Sequence, residues 1–143
     1  MSSKAFGTVV VVDDDITYLH TVALMLRAIG FKRIITYENG HDAIDHIEND
    51  KPDLVISDWD MPIVTGIDLL MMMRDDPELD RIPFILNTGH LEQQRWKDAI
   101  KYGVTEFLFK PFNFIQFKET VFLALELVDS EKRQNIIDQR LAS

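Results

Sequence analysis

Five short apolar runs alternate along the chain with five stretches in which apolar residues recur at helical spacing, and this alternation strongly limits the fold. The first run, at residues 8–13, is continuous and rich in valine, which is typical of a strand buried on both faces. Further strands are predicted at 33–37, 54–57, 83–87 and 106–109, with 54–57 the most central by composition. Strands that alternate with helices predict an α/β fold, with a parallel sheet, right-handed crossovers and helices on both faces.

The intervening helices are predicted at 16–29, 39–48, 67–74, 91–102 and 113–128. Gly30 and Gly103 follow two of them, where glycine commonly ends a helix. Pro62 and Gly66 bound an irregular loop after the third strand. The run at 71–73 is three methionines, which we interpret as core filling with one exposed position.

Length and composition favour one globular domain. The chain has 143 residues, of which 46% are hydrophobic, and contains no cysteine, which excludes disulfides and thiolate chemistry. No apolar run approaches the roughly 20 residues of a membrane span, and no signal peptide is evident. The net charge of −9 argues against nucleic-acid binding by this chain. It reflects either solubility or carboxylates that share a cation site.

Functional groups follow four of the predicted strands. Because the carboxyl ends of parallel strands meet at one edge of a sheet, these groups are expected to lie together. An acid cluster, a single acid, a hydroxyl and a lysine, in this order, form a set suited to phosphoryl transfer. The residues are Asp13, Asp14 and Asp15 after the first strand, Asp58 after the third, Thr88 after the fourth, and Lys110 with Pro111 after the fifth.

In these residues the chain resembles the response-regulator receiver domain of two-component signalling, including chemotaxis receivers. The resemblance rests on Asp13-Asp14, Asp58 with Met61-Pro62 and Gly66, Thr88, and Lys110-Pro111. It covers about residues 6–128, the scale of one domain. It implies a flavodoxin-like, doubly wound, five-stranded parallel sheet of order 2-1-3-4-5 with five helices. It also implies a cis peptide bond between Lys110 and Pro111.

The resemblance assigns roles to the strand-end residues. Asp58 would accept a phosphoryl group, with Thr88 and Lys110 contacting it. Crowded carboxylates call for a hard cation, and Mg²⁺ takes oxygen ligands. Asp14 and Asp58 are the expected direct ligands, with Asp13 acting through water and the backbone carbonyl of Asp60 as a further ligand.

The resemblance also implies a switch and its modulators. Thr88 and Phe107 would be the switch pair, with Phe107 at a place where many receivers carry tyrosine. The face formed by helix four, strand five and helix five would then change on phosphorylation. Asp60 and His90 would flank the phosphoryl group and influence dephosphorylation.

The resemblance implies the following partners and location. The phosphoryl donor would be a sensor histidine kinase or a histidine phosphotransfer protein, and the recipient of the signal a downstream effector or a fused output domain. The resemblance is also compatible with a homodimer, and the expected location is the cytoplasm, without membrane contact.

We expect a receiver domain at 1–129 and a charged tail at 130–143, which either prolongs helix five or is a linker.

Two other classes of function are considered. Residues 13–17 also read Asp-x-Asp-x-Thr, which resembles the nucleophile motif of haloacid-dehalogenase-type phosphatases. Asp13 would then be phosphorylated and Asp15 would be the acid/base, but that family needs a further acidic strand after the lysine and leaves Asp58 unexplained. The other class is a pseudo-receiver that only binds partners.

In the receiver interpretation Asp15 is an N-cap of helix one, with metal contact as the alternative. The four histidines lack the spacing of a metal pair.

Overall fold

A parallel five-stranded sheet of order β2-β1-β3-β4-β5 organises the chain. The computed structural model describes residues 6–89, 92–126, 135 and 138–139. The strands are β1 (Thr8–Val12), β2 (Arg33–Tyr37), β3 (Leu54–Asp58), β4 (Phe84–Thr88) and β5 (Glu106–Phe109). The helices are α1 (Ile16–Ile29), α2 (Gly40–Asp50), α3 (Gly66–Asp75), α4 (Gln93–Lys101) and α5 (Phe114–Ala124). The predicted order of alternating elements and the implied strand order are confirmed.

The sheet is buried on both faces, as the continuous valine run predicts. Val10 and Val12 pack with residues of α2, α3 and α4, while Val9 and Val11 pack with residues of α1 and α5. Successive side chains of a strand point to opposite faces, so one run of valines supplies both hydrophobic clusters. β3 lies in the middle of the sheet and all of its residues are buried, as predicted.

Side-chain caps mark where four of the five helices begin, namely α1, α2, α3 and α5. Asp15 caps α1 by accepting hydrogen bonds from the backbone N–H groups of Thr17 and Tyr18, which confirms the expected N-cap. Capping boxes begin α3 at Thr65 and α5 at Asn113. Gly30 and Gly103 adopt φ values of 123° and 89°, in the region that glycine tolerates best, after α1 and α4. The chain therefore leaves each helix toward the next strand without strain at these two turns.

The bounds of α1, β2 and β5 are as predicted, and the bounds of the other elements differ from the predicted ones by at most four residues. β1 ends at Val12 rather than 13, and β3 continues to Asp58, so the candidate acceptor belongs to the strand itself. β4 begins after Pro83, which has no N–H to donate. Helix α2 extends to Asp50, and Lys51 ends it in a left-handed conformation with a φ of 46°. Because this residue is a lysine rather than a glycine, the sequence does not signal the end of the helix. Residue 91, the predicted first residue of helix four, and residues 127 and 128 of helix five lie outside the described residues.

Of the three methionines, Met73 is buried and Met72 is exposed, as the core-filling interpretation predicts. The part of the chain that the structure describes has no helix of the length and hydropathy needed to cross a bilayer. Most of the tail at 130–143 lies outside the described residues.

Candidate functional site

The carboxyl ends of four strands converge on one edge of the sheet. β3 pairs with β4 so that Asp58 lies opposite Asn87, and β4 pairs with β5 so that Thr88 lies opposite Phe109. The ladder continues past β5, since the N–H of Lys110 donates to the carbonyl oxygen of Thr88 over 2.9 Å. The register therefore places the hydroxyl and the lysine beside the single acid of β3.

Three carboxylates form a compact cluster at this edge. Asp13, Asp14 and Asp58 each offer one oxygen, and these three oxygens all lie within 4.8 Å of one another. Asp13 is 3% exposed and Asp58 is 7% exposed, while Asp14 faces solvent. Three hard oxygen donors with one open side fit a Mg²⁺ ion, which keeps several waters and binds through few carboxylates.

Lys110 neutralises part of this charge. Its Nζ lies 3.1 Å from Oδ2 of Asp13 and 3.3 Å from Oδ1 of Asp58. The same ammonium group lies 4.0 Å from the centre of the Tyr18 ring, in a cation–π contact from α1. One cation thus joins the ends of β1, β3 and β5, and an aromatic ring covers it.

Burial sets the protonation behaviour of the site. Desolvation and then the charge of Asp13 raise the pKa of Asp58 to about 6, although Lys110 opposes the shift. Burial also raises the pKa of Asp13, against a hydrogen bond from the backbone of Asp15 and the charge of Lys110. For Lys110 burial lowers the pKa, but the two carboxylates outweigh it and the net shift is upward. The site therefore holds a charged lysine and buried acids whose ionisation is costly without a further cation.

The loop after Asp58 is held against the sheet. The N–H of Trp59 donates to the carbonyl oxygen of Asn87, and the N–H of Gly66 donates to the carbonyl oxygen of Trp59, each over 2.9 Å. A Cβ at Gly66 would collide with the carbonyl oxygen of Asp58, so only glycine lets α3 begin this close to the acceptor strand.

The turn after Lys110 has the cis peptide bond to Pro111 that the resemblance implies. α5 begins three residues later, where Asn113 and Gln116 form the capping box. The expectation is confirmed.

Phe107 lies half-buried on β5 within an aromatic group. Its ring stacks on Phe109, with 6.1 Å between centroids and 8° between planes, and meets Trp96 of α4 edge-on at 5.9 Å. Phe107 and Thr88 also line a common cavity of about 20 Å³, roughly the space of one water molecule. The two predicted switch residues are therefore neighbours across this small cavity.

Asp60 and His90 were the expected flanking residues. The carboxylate of Asp60 accepts a hydrogen bond of 2.8 Å from Arg95 of α4, and the Arg95 guanidinium lies 5.0 Å from the centre of the Trp59 ring. The structure thus brings Asp60 to the edge of the site. His90 lies outside the described residues.

Comparison with known proteins identifies the family. The family model for the response regulator receiver domain matches residues 9–122. The chain belongs to the response-regulator receiver family. Among curated relatives, the chemotaxis protein CheY-3 of Vibrio cholerae is 32% identical over 111 residues, which cover 78% of this chain and 85% of the relative. The chemotaxis protein CheY of Pseudomonas aeruginosa is 30% identical over 121 residues, which cover 85% of this chain and 98% of the relative.

Solved structures agree with the assignment. The chemotaxis response regulator CheY4 of Vibrio cholerae superimposes with a TM-score of 0.78 at 25% identity, covering 83% of this chain and 98% of that one. The chain is thus a receiver domain of the type used in two-component signalling, and the predicted family and fold are confirmed.

The phosphatase alternative is wrong for this receiver domain. Asp15, which would be the acid/base, uses its carboxylate to cap α1, and β5 is followed directly by α5 rather than by another acidic strand. Asp58, which the phosphatase motif leaves unexplained, lies inside the acid cluster.

Two residues of the site were not identified from the sequence. Tyr18 contacts Lys110 across 92 positions of the chain, and Arg95 contacts Asp60 across 35. Neither belongs to a local motif. The only signal was position on a helix whose first turns face the carboxyl edge of the sheet.

Proposed function

We propose that this receiver accepts a phosphoryl group on Asp58, from the phosphohistidine of a sensor histidine kinase or histidine phosphotransfer protein, or from a small acyl phosphate. The observation that carries the proposal is the contact of one lysine with two buried carboxylates, 3.1 Å from Asp13 and 3.3 Å from Asp58, beside the exposed Asp14. Such a site has a nucleophile, a charge partner and oxygen donors for a cation.

The transfer follows from the chemistry of these groups. A carboxylate oxygen of Asp58 bonds to phosphorus while the phosphorus–nitrogen bond of the donor breaks, and the imidazole nitrogen keeps the electron pair and takes up a proton. Because the pKa of Asp58 is about 6, the nucleophilic carboxylate predominates at pH 7 and above. Lys110 then pairs with a phosphoryl oxygen, and the Thr88 hydroxyl donates a hydrogen bond to another.

Receiver domains bind Mg²⁺ in the acidic pocket, and the donor set here fits that ion. We assign Asp14 and Asp58 as direct ligands, Asp13 as a ligand through water, and the backbone carbonyl of Asp60 as a further ligand. When bound, Mg²⁺ supplies positive charge that offsets the phosphoryl oxygens and the crowded carboxylates.

The receiver is a signalling switch rather than an enzyme that acts on other substrates. We propose that its only catalysis is its own phosphorylation and dephosphorylation, with Asp60 and His90 influencing the lifetime of the phosphoryl group.

The proposed function predicts one phosphoryl group per chain, in a reaction that needs a divalent cation. Incubation of the wild-type protein with acetyl phosphate and Mg²⁺ should add the mass of a single phosphoryl group, measured by intact-protein mass spectrometry. Addition of EDTA should abolish the gain, as should Asp58→Asn. An exposed acid in α2 gives the matched control, Asp45→Asn, which should incorporate normally. A wild-type protein without any mass gain would favour the pseudo-receiver, whose function is binding alone.

We propose that the output surface is the face formed by α4, β5 and α5. Thr88 and Phe107 line the same cavity of about 20 Å³, so movement of the loop after Thr88 changes the space beside the Phe107 ring. A hydrogen bond from Thr88 to the phosphoryl group would draw the following loop inward and give the ring space to move. Because Phe107 has no hydroxyl to solvate, we expect its inward position to be populated before phosphorylation, and the response to be smaller than in a tyrosine-bearing receiver.

Fluorine spectra test this coupling. With fluorophenylalanine at position 107, addition of Mg²⁺ and a beryllofluoride mimic should shift the ¹⁹F resonance of the ring and the amide resonances of α4 together. Thr88→Ala should remove both shifts, because it removes the hydroxyl that links the phosphoryl group to the loop. An unchanged ¹⁹F resonance with unaltered α4 shifts would contradict the coupling.

We propose the following partners, location and domain limits. The partners are a phosphohistidine donor and either an effector protein or a fused output domain, with a homodimer also compatible. The location is the cytoplasm, where phosphoryl donors derived from ATP are available. The domain occupies residues 1–129, and residues 130–143 are a tail that extends α5 or links it to another domain.

A further inference from the structure

Arg95 connects α4 to the loop that follows the acceptor residue. Its Nη2 donates to Oδ1 of Asp60 over 2.8 Å, and its guanidinium carbon lies 5.0 Å from the centre of the Trp59 ring. The Arg95 side chain is 30% exposed, and Asp60 lies two residues from Asp58. The guanidinium is thus held at the border of the site by one ion pair and one aromatic face.

The hydrogen-bonding capacity of Arg95 is only partly used. Its Nη1 is buried and has no hydrogen-bond partner among the residues that the structure describes. Buried donors are almost always paired, so a buried and unsatisfied N–H group favours a second arrangement in which it gains an acceptor. Arg95 also lines the small cavity that Thr88 borders, so it shares this space with the residue proposed to contact the phosphoryl group.

The charge of the site changes on phosphorylation in a way that favours a second cation. A phosphoryl group carries about −1.5 to −2 charges, more than the carboxylate that it replaces. Lys110 is already shared by Asp13 and Asp58. The hydrogen bond to Asp60 contributes most to the raised pKa of Arg95, and the charge of Asp58 also contributes, so the guanidinium already interacts with the acceptor. A planar guanidinium matches phosphoryl oxygens with two parallel donors.

We propose that Arg95 is a second phosphoryl-binding residue, and that its ion pair with Asp60 keeps it beside the site until Asp58 is phosphorylated. On phosphorylation of Asp58 the guanidinium exchanges the Asp60 carboxylate for phosphoryl oxygens and gains an acceptor for Nη1. The carboxylate of Asp60 competes with the phosphoryl group for this cation. Because Arg95 belongs to α4, the exchange also draws that helix toward the site. This inference rests on the proposed function of Asp58.

Beryllofluoride binding in the presence of Mg²⁺, measured by calorimetry, tests the exchange. Arg95→Gln should weaken binding at least about tenfold, the factor expected for loss of a hydrogen bond to a charged group. Asp60→Asn should strengthen binding, because it removes the competitor, and the double variant should bind as weakly as Arg95→Gln. Arg95→Lys keeps the positive charge but lacks the planar guanidinium, so its affinity should lie between those of the wild type and Arg95→Gln. It replaces Arg95→Gln as the test if the glutamine variant does not fold. Lys97→Gln removes an exposed charge of the same helix and should change affinity less than twofold.

The outcomes separate this inference from the function on which it rests. If Arg95 only linked α4 to the loop and did not bind the phosphoryl group, Arg95→Gln and Asp60→Asn would change affinity in the same direction and by similar factors. That result would overturn the exchange but leave the proposed function of Asp58 intact. The exchange would also be overturned if Arg95→Gln changed the affinity for beryllofluoride no more than Lys97→Gln does. A wild-type protein that binds no beryllofluoride would overturn both proposals. As a direct readout, the side-chain Nε–Hε resonance of Arg95 should shift when the mimic is added.

Discussion

Replacing Asp14 by asparagine should weaken Mg²⁺ binding at least tenfold and slow phosphorylation by acetyl phosphate at sub-saturating Mg²⁺ to a similar extent. Asp14 is the exposed member of the acid cluster, so its carboxylate reaches a cation without any cost of burial. Loss of a ligand that pairs with a divalent cation costs on the order of 1.5–3 kcal/mol, or about ten- to a hundredfold in affinity. A titration of Trp59 fluorescence with Mg²⁺ gives the affinity, in a Trp96→Phe background so that one indole reports.

The neighbouring acid supplies the control. Asp15→Asn removes the same charge one residue away, and asparagine keeps the hydrogen bonds that cap α1. This variant should lose only the small, unspecific attraction between a negatively charged protein and a cation. His20→Ala should leave the affinity unchanged. Equal losses in Asp14→Asn and Asp15→Asn would remove the basis for assigning Asp14 as a ligand.

Asp58→Asn should raise the free energy of unfolding by about 1–3 kcal/mol at pH 8 in EDTA. The pKa of Asp58 is raised from 3.8 to about 6, chiefly by burial, so the folded state binds its proton more tightly than the unfolded state. The stability that this carboxyl group contributes is present below pH 4 and is lost as the pH rises through about 6. Above that pH the ionised group costs at most about 3 kcal/mol, since one pKa unit corresponds to 1.36 kcal/mol. Asparagine carries no charge and avoids the cost.

Denaturant unfolding at two pH values measures this effect. The gain from Asp58→Asn should be largest at pH 8 and should shrink at pH 5, where the wild-type carboxyl is mostly protonated. Mg²⁺ should also reduce the difference, because it binds the folded wild-type protein. Asp45→Asn removes one negative charge from an exposed site in α2. It measures how much stability is gained merely by reducing the net charge of −9, and this amount is subtracted from the effect of Asp58→Asn. An Asp58→Asn protein less stable than wild type at pH 8 would contradict the raised pKa.

Much of the fold could be predicted from the sequence because its determinants are local. The valine run of β1 indicates burial on both faces, and Asp15 marks the start of α1 through its own side chain. Parallel strands bring their carboxyl ends to one edge, so the strand order alone places Asp13, Asp58 and Lys110 together.

Other features depend on packing that no local pattern encodes. Helix α2 runs two residues beyond its predicted end because Lys51 adopts a left-handed conformation without glycine. The contacts of Tyr18 with Lys110 and of Arg95 with Asp60 depend on how α1 and α4 are rotated against the sheet. Burial of Asp58, and so its raised pKa, likewise appears only once the loop to Gly66 is folded against β4.

The position of the acyl phosphate tests the central claim most directly. The protein is phosphorylated with acetyl phosphate and Mg²⁺, reduced with borohydride, which converts a phosphorylated aspartate to homoserine, and digested for tandem mass spectrometry. We predict homoserine at position 58 alone, and none in Asp58→Asn. Homoserine at position 13, particularly if it persists in Asp58→Asn, would contradict the assignment of Asp58 as the acceptor.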